Sequence, residues 1–155
     1  MLGKVVADAN SQSAIDVLVY NAIAPTFIKP TQLPAEQLVS DFRVNVVGAL
    51  EAAQAVIPSM LARGSGCILF TGGGWAHHPW DQAASPSIGK AGLRTLALTL
   101  SQELSNTPVR IGLVSIMGQV AAGTPFDPEQ ICKAFLQMVS RPSAGYETEL
   151  FFTGT

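Results

Sequence analysis

The chain has 155 residues, of which 9 are Lys or Arg and 11 are Asp or Glu, so 13% of the residues are charged and the formal net charge is −2. With 48% apolar residues and 14 glycines, the composition excludes intrinsic disorder, which requires low hydrophobicity and high net charge. Nucleic acid is excluded as a partner, because neutralising phosphates takes clustered Lys and Arg and the sequence has no such cluster.

The length suits one domain, and no stretch reaches the ~18 to 20 uninterrupted apolar residues of a membrane-spanning helix. The first residues lack the basic segment and apolar run of a secretory signal. We therefore expect a soluble, cytoplasmic protein with no membrane partner. Cys67 and Cys132 lie in apolar runs without C-x-x-C spacing, which predicts reduced core residues and no disulfide or metal pair.

The first predicted strand is the apolar run at residues 16–20. A long helix is predicted from Pro34 to Arg63, with Gly64 as its end, because apolar side chains recur near the 3.6-residue period. Pro58 lacks a backbone donor and should bend or end this helix early.

The second half of the chain continues the alternation. Residues 67–71 and 109–114 are short apolar runs typical of buried parallel strands, and a helix is predicted between them at residues 87–104. A third helix opens at Asp127, which can cap it. The tail from Tyr146 to Phe152 alternates like a last strand.

Strands and helices thus alternate along the whole chain, which predicts an α/β fold with a parallel sheet and right-handed crossovers. Ligands of such folds bind at the carboxyl ends of the strands. The segments expected to form a ligand site are therefore Asn21 to Ala22, Thr71 to Trp80 and Ser115 to Thr124.

Motifs at these strand ends resemble those of the short-chain dehydrogenase/reductase family. The run from Asp16 to Ile23 is similar to D-x-L-V-N-N-A-G, with Tyr20 and Ile23 as departures. Three further motifs are similar in order and spacing: V-N-x-x-G at residues 44–48, G-x-G-x-I-V-x at residues 64–70 and K-A-A-L-x-x-L at residues 90–96.

The resemblance implies a Rossmann-like three-layer parallel sheet and NAD- or NADP-linked oxidation or reduction of alcohol or carbonyl groups. It implies residual catalytic roles for Asn45 and Lys90. It also likens Val5 to Asn10 to the family's third strand, whose Asp contacts the adenine ring. The implied cofactor-binding residues are Asp8, Ala9, Asn21, Ala22, Lys90, Gly118 and Val120.

Two departures from the family pattern concern its catalytic hydroxyls. The family has a Tyr four residues before the Lys and a Ser about thirteen residues before that Tyr, where this sequence has Pro86 and Gly73. Proton exchange during hydride transfer needs a phenol whose pKa an adjacent ammonium lowers, and proline offers no proton. Ser85, Ser87 and Thr71 are hydroxyls nearby without the matching spacing.

The family's glycine-rich T-G-x-x-x-G-x-G turn, which cradles the pyrophosphate, has no counterpart in the 20 residues before Asn21. The 13 positions between Asp8 and Asn21 are also too few for the usual intervening helix. Either the chain is a truncated or internally deleted relative, or the sequence omits segments of a longer one. Residues 1–155 are therefore expected to form a single partial Rossmann-like domain that lacks the first strands and the cofactor turn.

Several residues admit a structural reading beside the functional one. Lys90 either binds a ribose hydroxyl or is a helix lysine, and Asn45 is either a buried amide bonded to backbone or part of a catalytic network. The glycines 72–74 more often form a tight turn than an anion loop. His77 and His78, with Trp75 and Trp80, are expected either to line a substrate-side loop or to pack on a neighbour, and no metal is expected.

Two functions remain open at this stage. One is a divergent oxidoreductase relative that is inactive as an isolated chain, and the other is a catalytically silent subunit or binding protein. The second would use helices 34–63 and 87–104 as the family's homo-oligomer interface. Because a chain without the first strands exposes a sheet face and edge, the low charge predicts self-association.

Overall fold

The structure is a computed structural model that describes residues 2–142 and 145–154. The described residues form five α-helices and four strands, besides short 3-10 turns, and a π-helical turn, Arg43–Val47, joins the second and third α-helices. The elements are α1 (Leu2–Gln12), β1 (Val17–Tyr20), α2 (Ala35–Phe42), α3 (Gly48–Arg63), β2 (Gly66–Gly73), α4 (Ala84–Glu103), β3 (Val109–Ile116), α5 (Pro128–Ser140) and β4 (Glu149–Phe152).

The four strands form one sheet in the order β1-β2-β3-β4, and every pairing is parallel. Tyr20 pairs with Phe70, and Phe70 pairs with Leu113, so the strands end at the same edge of the sheet. The predicted parallel α/β fold is confirmed. The last strand is shorter than the alternating tail from Tyr146 to Phe152 indicated, because only four residues pair with β3.

Each sheet face has its own core. On one face α3 and α4 cover the sheet, with Ile68, Phe70 and Val56 fully buried, and α1 packs on α3. On the other face α5 covers β2 to β4, with Leu69 and Met138 at its centre. Burying each such side chain stabilises the fold by about 1.5–3 kcal/mol.

On the sheet face that α5 covers, α5 does not reach β1, so the side chains of β1 on that face are partly exposed. Val17 and Val19 are 38% and 49% exposed although they belong to a strand. In the described residues β1 pairs only with β2, so its other edge is free. A chain without the family's first strands was expected to expose a sheet face and edge, and β1 has such a face and edge.

The helix from Ala35 to Arg63 agrees closely with the helix predicted over residues 34–63. It continues through Pro58, contrary to the expectation of an early end, and stops where Gly64 adopts a left-handed backbone at φ +77°. The expected cap of α5 is also confirmed, because the Asp127 carboxylate accepts a hydrogen bond from the Glu129 backbone N–H. The helix predicted at residues 87–104 begins earlier, at Ala84.

The strand expected at Val5 to Asn10 is wrong, because these residues lie within α1. The helix packs against α3, and the Asn10 amide donates to Ser59 Oγ at 2.8 Å. Asp8 thus lies within α1, and no further helix lies in the described residues between α1 and β1. In this helix Val6 packs partly buried against the core beneath α3, whereas Val5 is 61% exposed.

The helix over residues 35–63 is long and apolar enough to cross a membrane by length and composition. Its inner residues Ala53, Val56 and Met60 are fully buried against the sheet. An apolar helix packed in this way is the core helix of a layered domain.

Candidate functional site

A cavity of about 1320 Å³ opens at the carboxyl ends of β1, β2 and β3. It lies where ligands of open parallel sheets bind. The residues that the sequence indicated and that line this cavity are Asn21, Thr71, Gly73, Trp75, His78, Trp80, Lys90, Gly118 and Val120. All three segments expected to form a ligand site thus contribute to one cavity.

Lys90 reaches this cavity from the first half of α4. Its ammonium donates a hydrogen bond to the main-chain oxygen of Thr71 at 2.6 Å. Burial lowers the pKa of Lys90 to about 8. Lys90 is thus held between α4 and the end of β2, and its partly buried side chain lines the cavity.

The two positions where the family has hydroxyls differ in their surroundings. Gly73 lines the cavity, and a Cβ added there would stand 3.7 Å from Lys90 Cε, an ordinary contact distance. Pro86 is fully buried in the first turns of α4 and does not line the cavity. The Cβ of a serine at position 73 would therefore meet only ordinary contacts, whereas position 86 is fully buried.

The nearby serines are engaged elsewhere. Ser85 is buried and donates to the Asp41 carboxylate at 2.5 Å. Burial by itself raises the pKa of Asp41, but hydrogen bonds from Ser85, Thr26 and Gln37 keep it below its ordinary value. Ser87 Oγ accepts from the Trp80 backbone N–H at 3.2 Å. Neither serine lines the cavity, so neither is placed to replace a catalytic hydroxyl.

Asn45 lies in the π-helical turn between α2 and α3 and does not line the cavity. Its amide oxygen accepts from the Ala24 backbone N–H at 2.7 Å, and its amide nitrogen donates to the Ala24 carbonyl at 3.1 Å. Asn45 thus holds the loop after β1 in place. The contacts agree with the structural reading, a buried amide bonded to backbone.

The remaining sequence candidates divide into two groups. Ala22 is exposed beside Asn21 but does not line the cavity. Asp8 and Ala9 are exposed on α1, outside the cavity, and Asp8 pairs with Lys4 at 2.8 Å on the same helix. The adenine-binding role implied for Asp8 and Ala9 rested on a strand that the structure replaces with a helix.

Tyr20, the residue that departs from the N-N-A-G pattern, is a packing residue. Its hydroxyl donates to the Val44 carbonyl at 2.5 Å, and burial raises its pKa, with a further contribution from Glu51. A Cβ on Gly48 would stand 2.5 Å from that hydroxyl. Gly48 therefore makes room for the larger side chain at position 20.

The glycines at 72–74 belong mostly to β2 and do not form an anion loop. Gly72 and Gly73 are the last strand residues, and Gly74 opens a short 3-10 turn. A Cβ on Gly72 would stand 2.6 Å from Ser115 Oγ. The close approach of β3 accounts for the glycine at 72.

Three aromatic side chains form one wall of the cavity. The ring centroids of Phe27 and Trp75 are 5.8 Å apart in an edge-to-face arrangement, and those of Trp75 and Trp80 are 6.3 Å apart and nearly parallel. We call these three residues the aromatic wall. Trp75 and Trp80, which were expected on a substrate-side loop, line this cavity, and Phe27, which the sequence analysis did not single out, lines it as well.

His77 points away from the cavity, into a network that sequence reasoning missed. The Glu149 carboxylate accepts from Arg94 at 2.9 Å and from Ser115 at 2.7 Å, and it lies 3.0 Å from His77 Nε2. Burial alone raises the pKa of Glu149, but these partners hold it below its ordinary value. The network ties the loop that bears Trp75 to β3 and β4.

The cysteines differ from expectation at one position. Cys67 is buried, and burial raises the pKa of its thiol, whereas Cys132 is exposed on α5 and lines the cavity. Both are free thiols. Among residues 2–142 and 145–154, no group of three His, Cys, Asp or Glu side chains is arranged to hold a metal ion.

The comparison with known proteins decides the family. Residues 2–125 match the family profile described as short chain dehydrogenase. The chain belongs to the short-chain dehydrogenase/reductase family.

Two relatives within this family illustrate the extent of the match. The chain is 34% identical over 84 residues to the vibriobactin-specific 2,3-dihydro-2,3-dihydroxybenzoate dehydrogenase of Vibrio cholerae, covering 54% of this chain and 32% of that protein. It is 28% identical over 138 residues to an uncharacterized oxidoreductase of Staphylococcus aureus, covering 83% of this chain and 59% of that protein. The chain thus spans about a third to three fifths of the length of these relatives.

Solved structures of the family share the fold. A metagenomic short-chain oxidoreductase in complex with NADP superposes with a TM-score of 0.86 at 22% identity, over 97% of this chain and 67% of that one. A putative betaketoacyl-ACP reductase gives a TM-score of 0.82 at 27% identity, over 99% and 74%. The Rossmann-like α/β architecture is therefore that of the short-chain dehydrogenase/reductases.

Proposed function

We propose that this chain binds the nicotinamide-ribose end of NAD or NADP and does not transfer hydride on its own. The observation that carries the proposal is the convergence of Asn21, Lys90 and Gly118 on one cavity, beside Gly73. The family resemblance implies that the residues at these three positions bind the cofactor. It also implies a catalytic serine at position 73, where this chain has glycine.

The described residues fit one half of the dinucleotide. A bound nicotinamide group would supply the hydride for oxidation or reduction of an alcohol or carbonyl. The Lys90 ammonium would donate to a ribose hydroxyl, and the backbone from Gly118 to Val120 would face the carboxamide. The sequence has no T-G-x-x-x-G-x-G turn for the pyrophosphate, and Asp8 lies on α1 away from the cavity.

The absence of turnover follows from acid–base chemistry. Hydride transfer to a carbonyl must be matched by proton delivery to the oxygen, which a positioned acid accelerates by roughly 10²–10⁴-fold. Gly73 and Pro86 have no exchangeable side-chain proton, and Ser85 and Ser87 do not line the cavity. The proposal includes the single partial domain over residues 1–155, the soluble cytoplasmic state and the absence of nucleic-acid and membrane partners.

The test pairs a binding measurement with a turnover measurement. Because Trp75 and Trp80 line the cavity, NAD or NADP at millimolar concentration is expected to change their fluorescence and to raise the melting temperature. No oxidation of NADH or NADPH above background is expected with a panel of aldehydes and ketones. Absent binding would overturn the cofactor half of the proposal, and carbonyl-dependent turnover would overturn the other half.

A second candidate function is that of a silent subunit, and exposed apolar residues on two helices favour it. Val44 and Val47, at the junction of α2 and α3, are 39% and 37% exposed, and Ile88 on α4 is 43% exposed. Exposed apolar side chains that form a contiguous patch mark protein contact surfaces. A homo-oligomer through helices 34–63 and 87–104 would cover them.

A further inference from the structure

Lys90 is a cation without a counter-charge in the part of the chain that the structure describes. No Asp or Glu is among the described residues that line its cavity, and none of the described ion pairs includes it. Its hydrogen bond goes to the carbonyl oxygen of Thr71. A carbonyl also accepts from a neutral amine, although more weakly than from an ammonium, so this contact does not require Lys90 to be charged.

Burial supplies the free amine. With a pKa of about 8, about a tenth of the molecules have a neutral Lys90 at pH 7, whereas an exposed lysine with a pKa of ~10.4 is neutral in well under one molecule per thousand. The other titratable groups that line the cavity are His78 and Cys132. A desolvated lysine in an apolar site is the usual form of a nucleophilic amine.

Space beside the amine is open because Gly73 has no side chain. The nearest atoms to an added Cβ there belong to the Lys90 side chain and the Ile116 carbonyl, at 3.7–3.9 Å. The chain also has proline where the family has the phenol that would contact this amine. An incoming carbonyl group therefore meets Lys90 without first displacing a hydroxyl.

We propose that Lys90 is a nucleophile that reversibly forms an imine with aromatic aldehydes entering the cavity. The nitrogen lone pair attacks the carbonyl carbon, and the C=O π bond breaks as the oxygen takes up a proton to give a carbinolamine. The C–O bond then breaks, the oxygen leaves as water with a second proton, and the C=N bond forms. Amine and aldehyde give imine and water, with no oxidant or reductant.

The aromatic wall sets the class of aldehyde. Phe27 and Trp80 are exposed large apolar side chains, and both contact Trp75 at the same cavity. Flat aromatic molecules gain stacking and edge-to-face contacts from such rings in addition to the burial of apolar surface. The absence of acidic groups from the described lining favours neutral or anionic ligands over cationic ones.

The experiment uses the chain's own lysines as references. The sequence has four, Lys4, Lys29, Lys90 and Lys133, and all except Lys90 are exposed. The wild-type protein is incubated at pH 7 with 2-naphthaldehyde and sodium cyanoborohydride, and labelling is followed by peptide mass mapping, which also separates the α-amino group. Lys90 is expected to be labelled at least about 10-fold faster than the other three, and its rate is expected to level off above a pH of about 8.

Equal rates at all four lysines, or a Lys90 rate that still rises above pH 9.5, would overturn the proposal. A second arm tests the wall: Trp75→Leu should slow labelling by 2-naphthaldehyde at least about 5-fold and leave labelling by cyclohexanecarbaldehyde unchanged. Equal slowing of both aldehydes would overturn the aromatic assignment. The labelling needs no nucleotide, so its result does not depend on whether the chain binds NAD or NADP. The two proposals can therefore fail separately.

Discussion

The Lys90 ammonium donates to the Thr71 carbonyl at 2.6 Å and so joins α4 to the end of β2, two residues before Gly73. This contact holds a cation in the lining of the cavity. The two positions where the family has catalytic hydroxyls are occupied here by Gly73 and Pro86. Under the proposed function, Lys90 keeps a cofactor-binding role at a site that lacks the family's two catalytic hydroxyls. Binding and catalysis can be tested separately in this chain.

The pKa of Lys90 predicts a pH-dependent stability. The folded-state pKa is about 8 and the unfolded value is ~10.4, so between these values the unfolded chain binds more protons and the stability contribution of Lys90 rises with pH. Relative to Lys90→Met, the wild-type free energy of unfolding should increase by roughly 2–3 kcal/mol from pH 7 to pH 10.5. Urea unfolding across this range measures the difference.

Lys133→Met, which removes an exposed lysine in the same way, is measured in parallel as the matched control. A constant difference for Lys90→Met would contradict the lowered pKa.

Asn45 is predicted to matter for stability. Asn45→Ala leaves both the N–H and the carbonyl of Ala24 without their side-chain partners, which should lower the free energy of unfolding by about 2–3 kcal/mol. Chemical denaturation measures this loss. Asn21→Ala, at an exposed residue, is the control and should change stability by less than about 0.5 kcal/mol. An Asn45→Ala variant as stable as wild type would favour a role confined to catalysis.

The two hydroxyl positions should respond differently to restoration. Gly73→Ser should leave the melting temperature nearly unchanged, because its Cβ meets only ordinary contacts in an extended backbone. Pro86→Tyr should cost about 1–3 kcal/mol, because a larger ring enters a fully buried position. Differential scanning calorimetry of the two variants separates these outcomes. A Pro86→Tyr protein as stable as wild type would mean that a tyrosine there turns into the cavity.

Self-association through the long helices is the fourth prediction. Wild-type protein is expected to sediment as an oligomer at micromolar concentration, and Ile88→Glu should shift it toward monomer by placing a charge in an apolar contact. Val5→Glu, at a valine on α1 that is also highly exposed, should leave the oligomer intact. A monomeric wild type, or equal effects of both variants, would remove the main support for the silent-subunit function.

The strand ends could be predicted because the residues that determine them are contiguous. The runs at residues 67–71 and 109–114 are apolar on both faces, and this pattern is typical of a covered parallel strand. The segment Val5 to Asn10 was misassigned because two adjacent valines favour a strand locally, while the contacts that decide it, such as Asn10 with Ser59, lie 49 residues away in sequence.

The Glu149 network lay beyond sequence reasoning for the same reason. Its members Glu149, Arg94, Ser115 and His77 come from three elements and a loop, and His77 and Glu149 are separated by 72 positions. Composition and spacing give no signal for such a cluster. Cys132 was expected in the core because its neighbours are apolar, but its position on α5 turns it outward to the cavity.

The central claim is that the cavity holds the nicotinamide half of a dinucleotide, and a titration with separate halves tests it most directly. Nicotinamide mononucleotide is expected to bind the wild-type chain by isothermal titration calorimetry, with affinity reduced at least about 10-fold in Lys90→Gln, whereas 5′-AMP is expected not to bind. Binding of 5′-AMP in preference to nicotinamide mononucleotide, or equal binding of nicotinamide mononucleotide by wild type and Lys90→Gln, would contradict the account.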